Sequence, residues 1–175
     1  MSNIEKIAGE LRALSAGVER AQGQAAAADN HAREIAMRAA GSGFVAVGAG
    51  MSRVRNAIAG VQARLGELDG LMGEAVKAAT AVPQGVSPAE TIAGLTPVQS
   101  TVAGARDTIA GIIAQVAEAQ QLVTVALQGG EPGPMLSALE SIKQVLAQVG
   151  QRTAMARQFV DEAIVEARQL GSLGN

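Results

Sequence analysis

The side chains that most often carry catalysis or metal binding are few in this 175-residue sequence. It contains one histidine, His31, and no cysteine, which excludes thiol nucleophiles, disulfides and thiolate metal sites. A serine hydrolase would need its histidine near a nucleophile on a sharp turn, but His31 lies beside Arg33 and Glu34 in an Ala-rich helical segment. We therefore interpret His31 as a solvent-facing residue of a helix.

Carboxylate and phosphate sites need residue patterns that are also missing. Di-iron four-helix bundles use Glu-x-x-His on two helices, whereas His31 and Glu34 stand in the reverse order and occur once. The glycine-rich segment 41–43 has no lysine of a phosphate-binding loop, and helix capping with chain reversal explains it. We predict no catalytic residue, no cofactor and no metal, and a protein that is not an enzyme.

Positive charge is most concentrated at Arg53 and Arg55, but acidic residues follow within a few turns. The chain has 14 basic and 16 acidic side chains, a formal net charge of -2, and neither Trp nor Tyr to stack on bases. These features argue against nucleic acid as a partner. The two aromatic residues are Phe44, expected in a loop where it plugs the end or marks a contact, and Phe159, expected in the core. The candidate interaction residues are Phe44, Val47, Met51, Arg53, Arg55 and Phe159.

Helices must position these residues, because apolar side chains recur at alternating steps of three and four along nearly the whole chain. Four such seams run through residues 4–39, 47–82, 98–126 and 135–170, and Thr153 is their one polar member. Much of the 48% hydrophobic content is alanine, which favours closely spaced helices over a broad core.

Capping residues mark where the helices begin and end. Ser2 with Glu5 and Ser87 with Glu90 have the spacing of capping boxes, and Pro88 suits a first helical position. Glycines stand where left-handed C-caps are expected, at positions 41, 129 and 171. The Pro- and Gly-rich segment 129–134 is a predicted loop.

The predicted organisation is two helical hairpins, residues 1–82 and 98–175, joined by a Pro/Gly linker at 83–97. Within the linker, residues 88–95 are expected to form a short helix before Pro97 kinks or restarts the chain. The fold class is all-α, with two antiparallel hairpins forming either a four-helix bundle or an elongated coiled-coil rod. A shift of 88 residues superimposes the loop and second helix of the two halves, which indicates internal duplication.

Three segments resemble an uncharacterised family of small Ala-rich helical proteins from actinobacteria, a domain of unknown function. They are Leu-Gln-Gly-Gly-Glu-Pro-Gly-Pro-Met at 127–135, Ala-Arg-Gln-Leu-Gly at 167–171, and Val-Ser-Pro-Ala-Glu-Thr at 86–91. The resemblance covers most of the chain, but these segments are turns and caps and imply no functional residue.

Each half is also distantly similar in size and layout to the ESX-type (type VII) helical-hairpin secretion substrates. That resemblance implies a secreted or toxin-associated module. The chain departs from the family, because without Trp and Tyr it has neither the Trp-x-Gly turn nor the tyrosine-based export signal.

Three classes of function follow from these observations. The first is a non-catalytic interaction or scaffold protein that binds a protein partner, or a second copy of itself, through its coiled-coil seams. The second is the ESX-like module, and the third is a ligand-binding bundle or enzyme. No apolar run precedes a cleavage site, and the uncharged stretch 39–52 is too short to span a bilayer. We expect no transmembrane segment and a cytoplasmic location, with signal-peptide-independent export left open.

Overall fold

The computed structural model describes residues 2–83 and 85–173, which form four long helices. Helix α1 spans Asn3–Gly41, α2 spans Val45–Thr80, α3 spans Pro88–Ala126 and α4 spans Gly133–Leu173. Helices α1 and α3 each pack against both α2 and α4. This confirms the predicted all-α fold of two hairpins and selects the four-helix bundle, about 60 Å long.

Cross-helix contacts show that neighbouring helices are antiparallel. Arg55 of α2 bonds Asp29 of α1, whereas Asp69, later in α2, accepts a hydrogen bond from Ser15, earlier in α1. Contacts between α3 and α4, and between the two hairpins, likewise pair early residues of one helix with late residues of the other. Both hairpin turns therefore lie at one end of the bundle, which we call the loop end. The connection between α2 and α3 and the described chain ends lie at the other, the terminal end.

The four predicted seams form the core. Nearly every seam residue is buried, including Leu14, Leu68, Ile112 and Leu146, none of which has any exposed surface. The departures occur at the ends of the bundle, where Val47 is half-buried and Leu170 is 58% exposed. The seams therefore satisfy one another within a single chain.

Capping explains how the helices begin and end. Both predicted capping boxes are present, with the amide N–H groups of Glu5 and Glu90 donating to the hydroxyls of Ser2 and Ser87. Gly129 has the predicted positive φ, 86°. After α1, however, the left-handed residue is Gly43 rather than glycine 41, and α4 continues past glycine 171 to Leu173.

The predicted linker is shorter than expected. Residues 88–97 are the first turns of α3, which passes through Pro97 without a break, so the connection is confined to residues 81–87. Pro97 is exposed, while Leu95 and Val98 on either side of it are fully buried. Burial of the seam thus outweighs the one backbone hydrogen bond that the proline ring removes.

Close contacts join the two hairpins at glycines. A Cβ atom added at Gly50 of α2 would lie 2.6 Å from Cβ of Ala126 and 3.1 Å from its Cα. Gly17, Gly94 and Gly111 meet the opposite hairpin, or the start of the connection, at comparable distances. At Gly111 the atom met is Nη1 of the flexible Arg64 side chain, which can move, so the close approach requires glycine chiefly at Gly17, Gly50 and Gly94.

The proposed duplication remains a prediction. The starts of α2 and α4, Val45 and Gly133, are 88 residues apart, as the shift requires. The starts of α1 and α3, Asn3 and Pro88, are 85 residues apart.

Candidate interaction surface

A shallow apolar groove of about 500 Å³ runs between the start of α2 and the end of α3 at the loop end. Its walls include Val47 and Arg53 of α2 and Leu122 and Val125 of α3. Two exposed apolar residues immediately precede the α2 wall in sequence: Phe44, the N-cap residue of α2, and Val45, its first residue. We call the whole surface the loop-end patch and define it by Phe44, Val45, Val47, Arg53, Leu122 and Val125.

The α1–α2 turn leaves two large apolar side chains in water. Gly43, with φ of 79°, reverses the chain, and the Phe44 amide N–H donates to the carbonyl of Ala39 at 2.9 Å. Phe44 occupies the N-cap of α2, where its side chain makes no capping hydrogen bond. Phe44 is 64% exposed and Val45 is 79% exposed. The local backbone thus places apolar surface where a polar cap would be usual.

The α3 wall of the patch arises from an apolar residue outside the seam. Val123 is fully buried and Ala126 packs against the core, whereas Val125 between them is 71% exposed. Leu122 is half-buried beside it. The close contact between Gly50 and Ala126 holds the two walls together and keeps the groove floor free of large side chains.

Arg53 is the one charged side chain in the groove lining. It is exposed and forms no ion pair with any residue in 2–83 or 85–173. Arg55 differs, because its Nε lies 3.0 Å from Oδ1 of Asp29. Hydrogen bonding to Asp29 raises the pKa of Arg55 above its ordinary value. The patch therefore carries a single uncompensated positive charge.

Of the predicted interaction residues, Val47 and Arg53 line the groove, and Phe44 is the N-cap residue of α2 just before its α2 wall. Met51 has no exposed surface and belongs to the core, so it is not accessible to a partner. Arg55 faces α1 and is engaged by Asp29. Met51 and Arg55 lie outside the patch for the same reason, because residues on one helix turn face different neighbouring helices.

Phe159 lies outside the patch, on α4 toward the terminal end. It is half-buried and packs against the core, as expected, and Nζ of Lys6 lies 6.0 Å from its ring centroid. A cation over an aromatic ring at this distance gives a weak attraction between α1 and α4. Phe159 thus stabilises the bundle and does not extend the patch.

A second groove lies at the terminal end, between the starts of α1 and α3 and the end of α4. Its walls include Ile4, Pro88 and Leu170. Nδ2 of Asn3 donates to Oε2 of Glu166 at 2.7 Å across this groove. Its one charged lining residue, Glu166, is therefore already hydrogen-bonded, whereas Arg53 of the loop-end patch forms no ion pair with the described residues.

Residues 2–83 and 85–173 contain no group of three or more His, Cys, Asp or Glu side chains that could hold a metal ion. His31 is half-buried on α1, not fully solvent-facing.

Hydrogen bonding from Gln120 lowers the pKa of Glu140, which also contacts Lys143. This group links α3 to α4 on the surface of the bundle.

By length and composition alone, α3 is apolar enough to cross a membrane, with mean hydropathy 1.3 over 18 residues. The expectation of no transmembrane segment counted unbroken uncharged stretches and overlooked α3, because its apolar window includes charges. The seam of α3 is buried in this bundle, but only 28% of the apolar window is buried.

Val45, Leu122 and Val125 were missed by the sequence analysis. Val125 carried a usable signal, since it is a large apolar residue at a position that the seam leaves on the outside of α3. Val45 could have been found only by knowing where the turn ends and α2 begins.

Residues 86–172 match the model of a family of unknown function (DUF6244). The matched range covers helices α3 and α4 nearly in full and contains all three segments that carried the resemblance, so the resemblance spans the second hairpin, not most of the chain. No curated protein and no solved structure matches the chain.

Proposed function

We propose that this protein is a non-catalytic helical interaction protein that binds another protein through the loop-end patch. The observation that carries the proposal is an apolar groove between α2 and α3, flanked by large side chains left in water. The seams cannot serve as the binding surface, because the bundle buries them. The binding surface therefore moves from the coiled-coil seams to the loop end.

Clustering distinguishes this patch from ordinary surface apolar residues. Single exposed apolar residues are normal, and Leu71 and Met155 are examples here. Val125 is instead more than 60% exposed and lines the groove, and the equally exposed Phe44 and Val45 directly precede its first α2 residue, Ala46, in sequence. Contiguous apolar surface with a polar rim is typical of protein-binding sites.

A pull-down with the full chain tests this proposal. The wild type, Val125→Asp and Val165→Asp are immobilised and exposed to extract of the native host, and retained proteins are identified by mass spectrometry. Val165 lies on α4 outside the patch and is 49% exposed, so it is a matched control for the same substitution. We expect a partner, including untagged copies of the chain itself, to be retained by the wild type and Val165→Asp but not by Val125→Asp. Equal retention by all three would contradict the proposal, provided that circular dichroism shows equal helicity.

An ESX-like secreted module is the second candidate function. It is favoured by the pairing of two antiparallel hairpins side by side in one bundle. This function requires export, so the chain should accumulate in the culture medium while a cytosolic marker stays in the cells. Retention of the chain together with the marker would exclude it.

A further inference from the structure

We infer that the partner of the loop-end patch is a second copy of this chain, bound in a two-fold dimer in which the two patches pack on each other. The inference rests on the proposed function and names its partner. A two-fold contact requires one surface to supply both the groove and the group that fills it. The loop end offers both, because the groove is lined by Gly50 and Ala126 and the exposed Phe44 and Val45 directly precede its first α2 residue, Ala46, in the chain.

The charges of the loop end are complementary to themselves. Arg53 lines the groove, and Glu131 follows three residues after Gln128, which also lines it. Both are exposed, and neither forms an ion pair with the described residues. A two-fold axis through the patch places Arg53 of each copy opposite Glu131 of the other. Two equivalent ion pairs then satisfy both charges without a third molecule.

The size of the patch sets the expected strength of the dimer. A standard stable interface buries about 800 Å² per partner and about 20–30 residues a side. The patch has only a few large apolar side chains, so the dimer is expected to be weak and to depend on protein concentration. Its charge pairs lie at the rim, where they steer and orient association and are weakened by salt.

Sedimentation equilibrium of the full chain at low salt gives the first test. We expect the apparent mass to rise from monomer toward dimer with concentration and the dissociation constant to increase with salt. Val125→Asp should raise that constant at least about tenfold, because it places a carboxylate where the contact buries an apolar side chain and competes for Arg53. Val165→Asp, outside the patch, should leave the constant unchanged.

Charge reversal gives the decisive test, because it can restore binding as well as remove it. Arg53→Glu alone and Glu131→Arg alone should each weaken the dimer several-fold, since each homodimer then contains two like-charged pairs. An equimolar mixture of the two variants should dimerise again, because both pairs in the mixed dimer are of opposite charge. A head-to-tail contact between the loop end and the terminal end would not show this restoration.

The outcomes separate this inference from the proposed function. A wild type that stays monomeric at all concentrations overturns the dimer, and so does a mixture that fails to recover. If the pull-down still shows a different partner lost with Val125→Asp, the proposed function stands and only the dimer is wrong. If no protein is lost with Val125→Asp, both fail.

Discussion

A Cβ atom added at Gly17 of α1 would lie 2.6 Å from Cγ2 of Val149 on α4. Two carbon atoms do not approach so closely, so α1 and α4 can adopt their spacing only with glycine at this position. Val149 is 3% exposed, and a valine in a helix has one strongly preferred χ1 rotamer. Its methyl group can therefore move away only if the side chain leaves that rotamer or the helices shift apart.

Gly17→Ala should destabilise the protein by about 1–3 kcal/mol, the usual effect of overpacking a core. Gly23→Ala on the same helix is the matched control, because a Cβ there meets nothing within 4 Å. That substitution should raise the free energy of unfolding by up to about 1 kcal/mol through helix propensity. Urea denaturation measures both, and a Gly17→Ala variant as stable as Gly23→Ala would show that the helices adjust freely.

The fold could be predicted because apolar residues that recur at helical spacing lie on one face of a helix, and that face is the one the bundle buries. Each seam residue from Val98 to Val123 was identified by spacing alone, and each is buried. Which glycines make close contacts could not be predicted in this way. Gly66 and Gly17 both lie inside helices, yet only Gly17 meets another atom. That difference depends on the neighbouring helix, which local sequence does not specify.

Pro97→Ala should stabilise the protein by up to about 3 kcal/mol, because the proline lies inside α3 and is exposed. Alanine restores the missing backbone donor without removing any buried contact. Pro134→Ala is the control, because Pro134 lies in the first turn of α4, where amide N–H groups have no intrahelical acceptor. It should change stability by less than about 0.5 kcal/mol. Thermal unfolding compares the two, and equal shifts would mean that the missing backbone hydrogen bond at Pro97 costs no more than proline in a first turn.

The candidate site was less predictable than the fold, for a physical reason that Met51 illustrates. Met51 and Arg53 are two residues apart on α2, yet one is buried and the other lines the groove. Composition suggested both, whereas their separation depends on which helix lies on each side of α2. Phe44 was identifiable because aromatic residues are so rare in this chain.

The capping box of α3 should make stability depend on pH. Hydrogen bonds from the side chain and backbone of Ser87 lower the pKa of Glu90 below its ordinary value of 4.5. Because the folded-state pKa is the lower one, the stabilisation is present above about pH 4.5 and is lost as pH falls through the folded-state pKa.

Ser87→Ala should therefore return the pKa of Glu90 toward its ordinary value, and it should cost about 1 kcal/mol at pH 7, as is typical of an N-cap serine. The stability difference between wild type and Glu90→Gln should shrink as pH falls from 7 to 3. Carboxyl titration by NMR and denaturation at both pH values measure these effects. A difference that grows toward pH 3 would contradict the assignment.

Thr153 is the one polar residue among the buried residues of the described core, with 2% exposure. Its hydroxyl donates to the carbonyl of Val149 one turn earlier, at 2.9 Å. This carbonyl is also the acceptor for the backbone N–H of Thr153 in the helix, so removing the hydroxyl leaves no orphaned group. Thr153→Val should stabilise the protein by about 0.5–1 kcal/mol, because it replaces a buried hydroxyl with a methyl group.

Thr124→Val is the matched control for this substitution. Thr124 makes the same bond to the carbonyl of Gln120, at 3.1 Å, but on the surface of α3. Its replacement should change the free energy of unfolding by less than about 0.5 kcal/mol. If Thr153→Val instead lowers stability while Thr124→Val does not, the hydroxyl contributes to packing in the α4 seam, and the four seams are not interchangeable apolar surfaces.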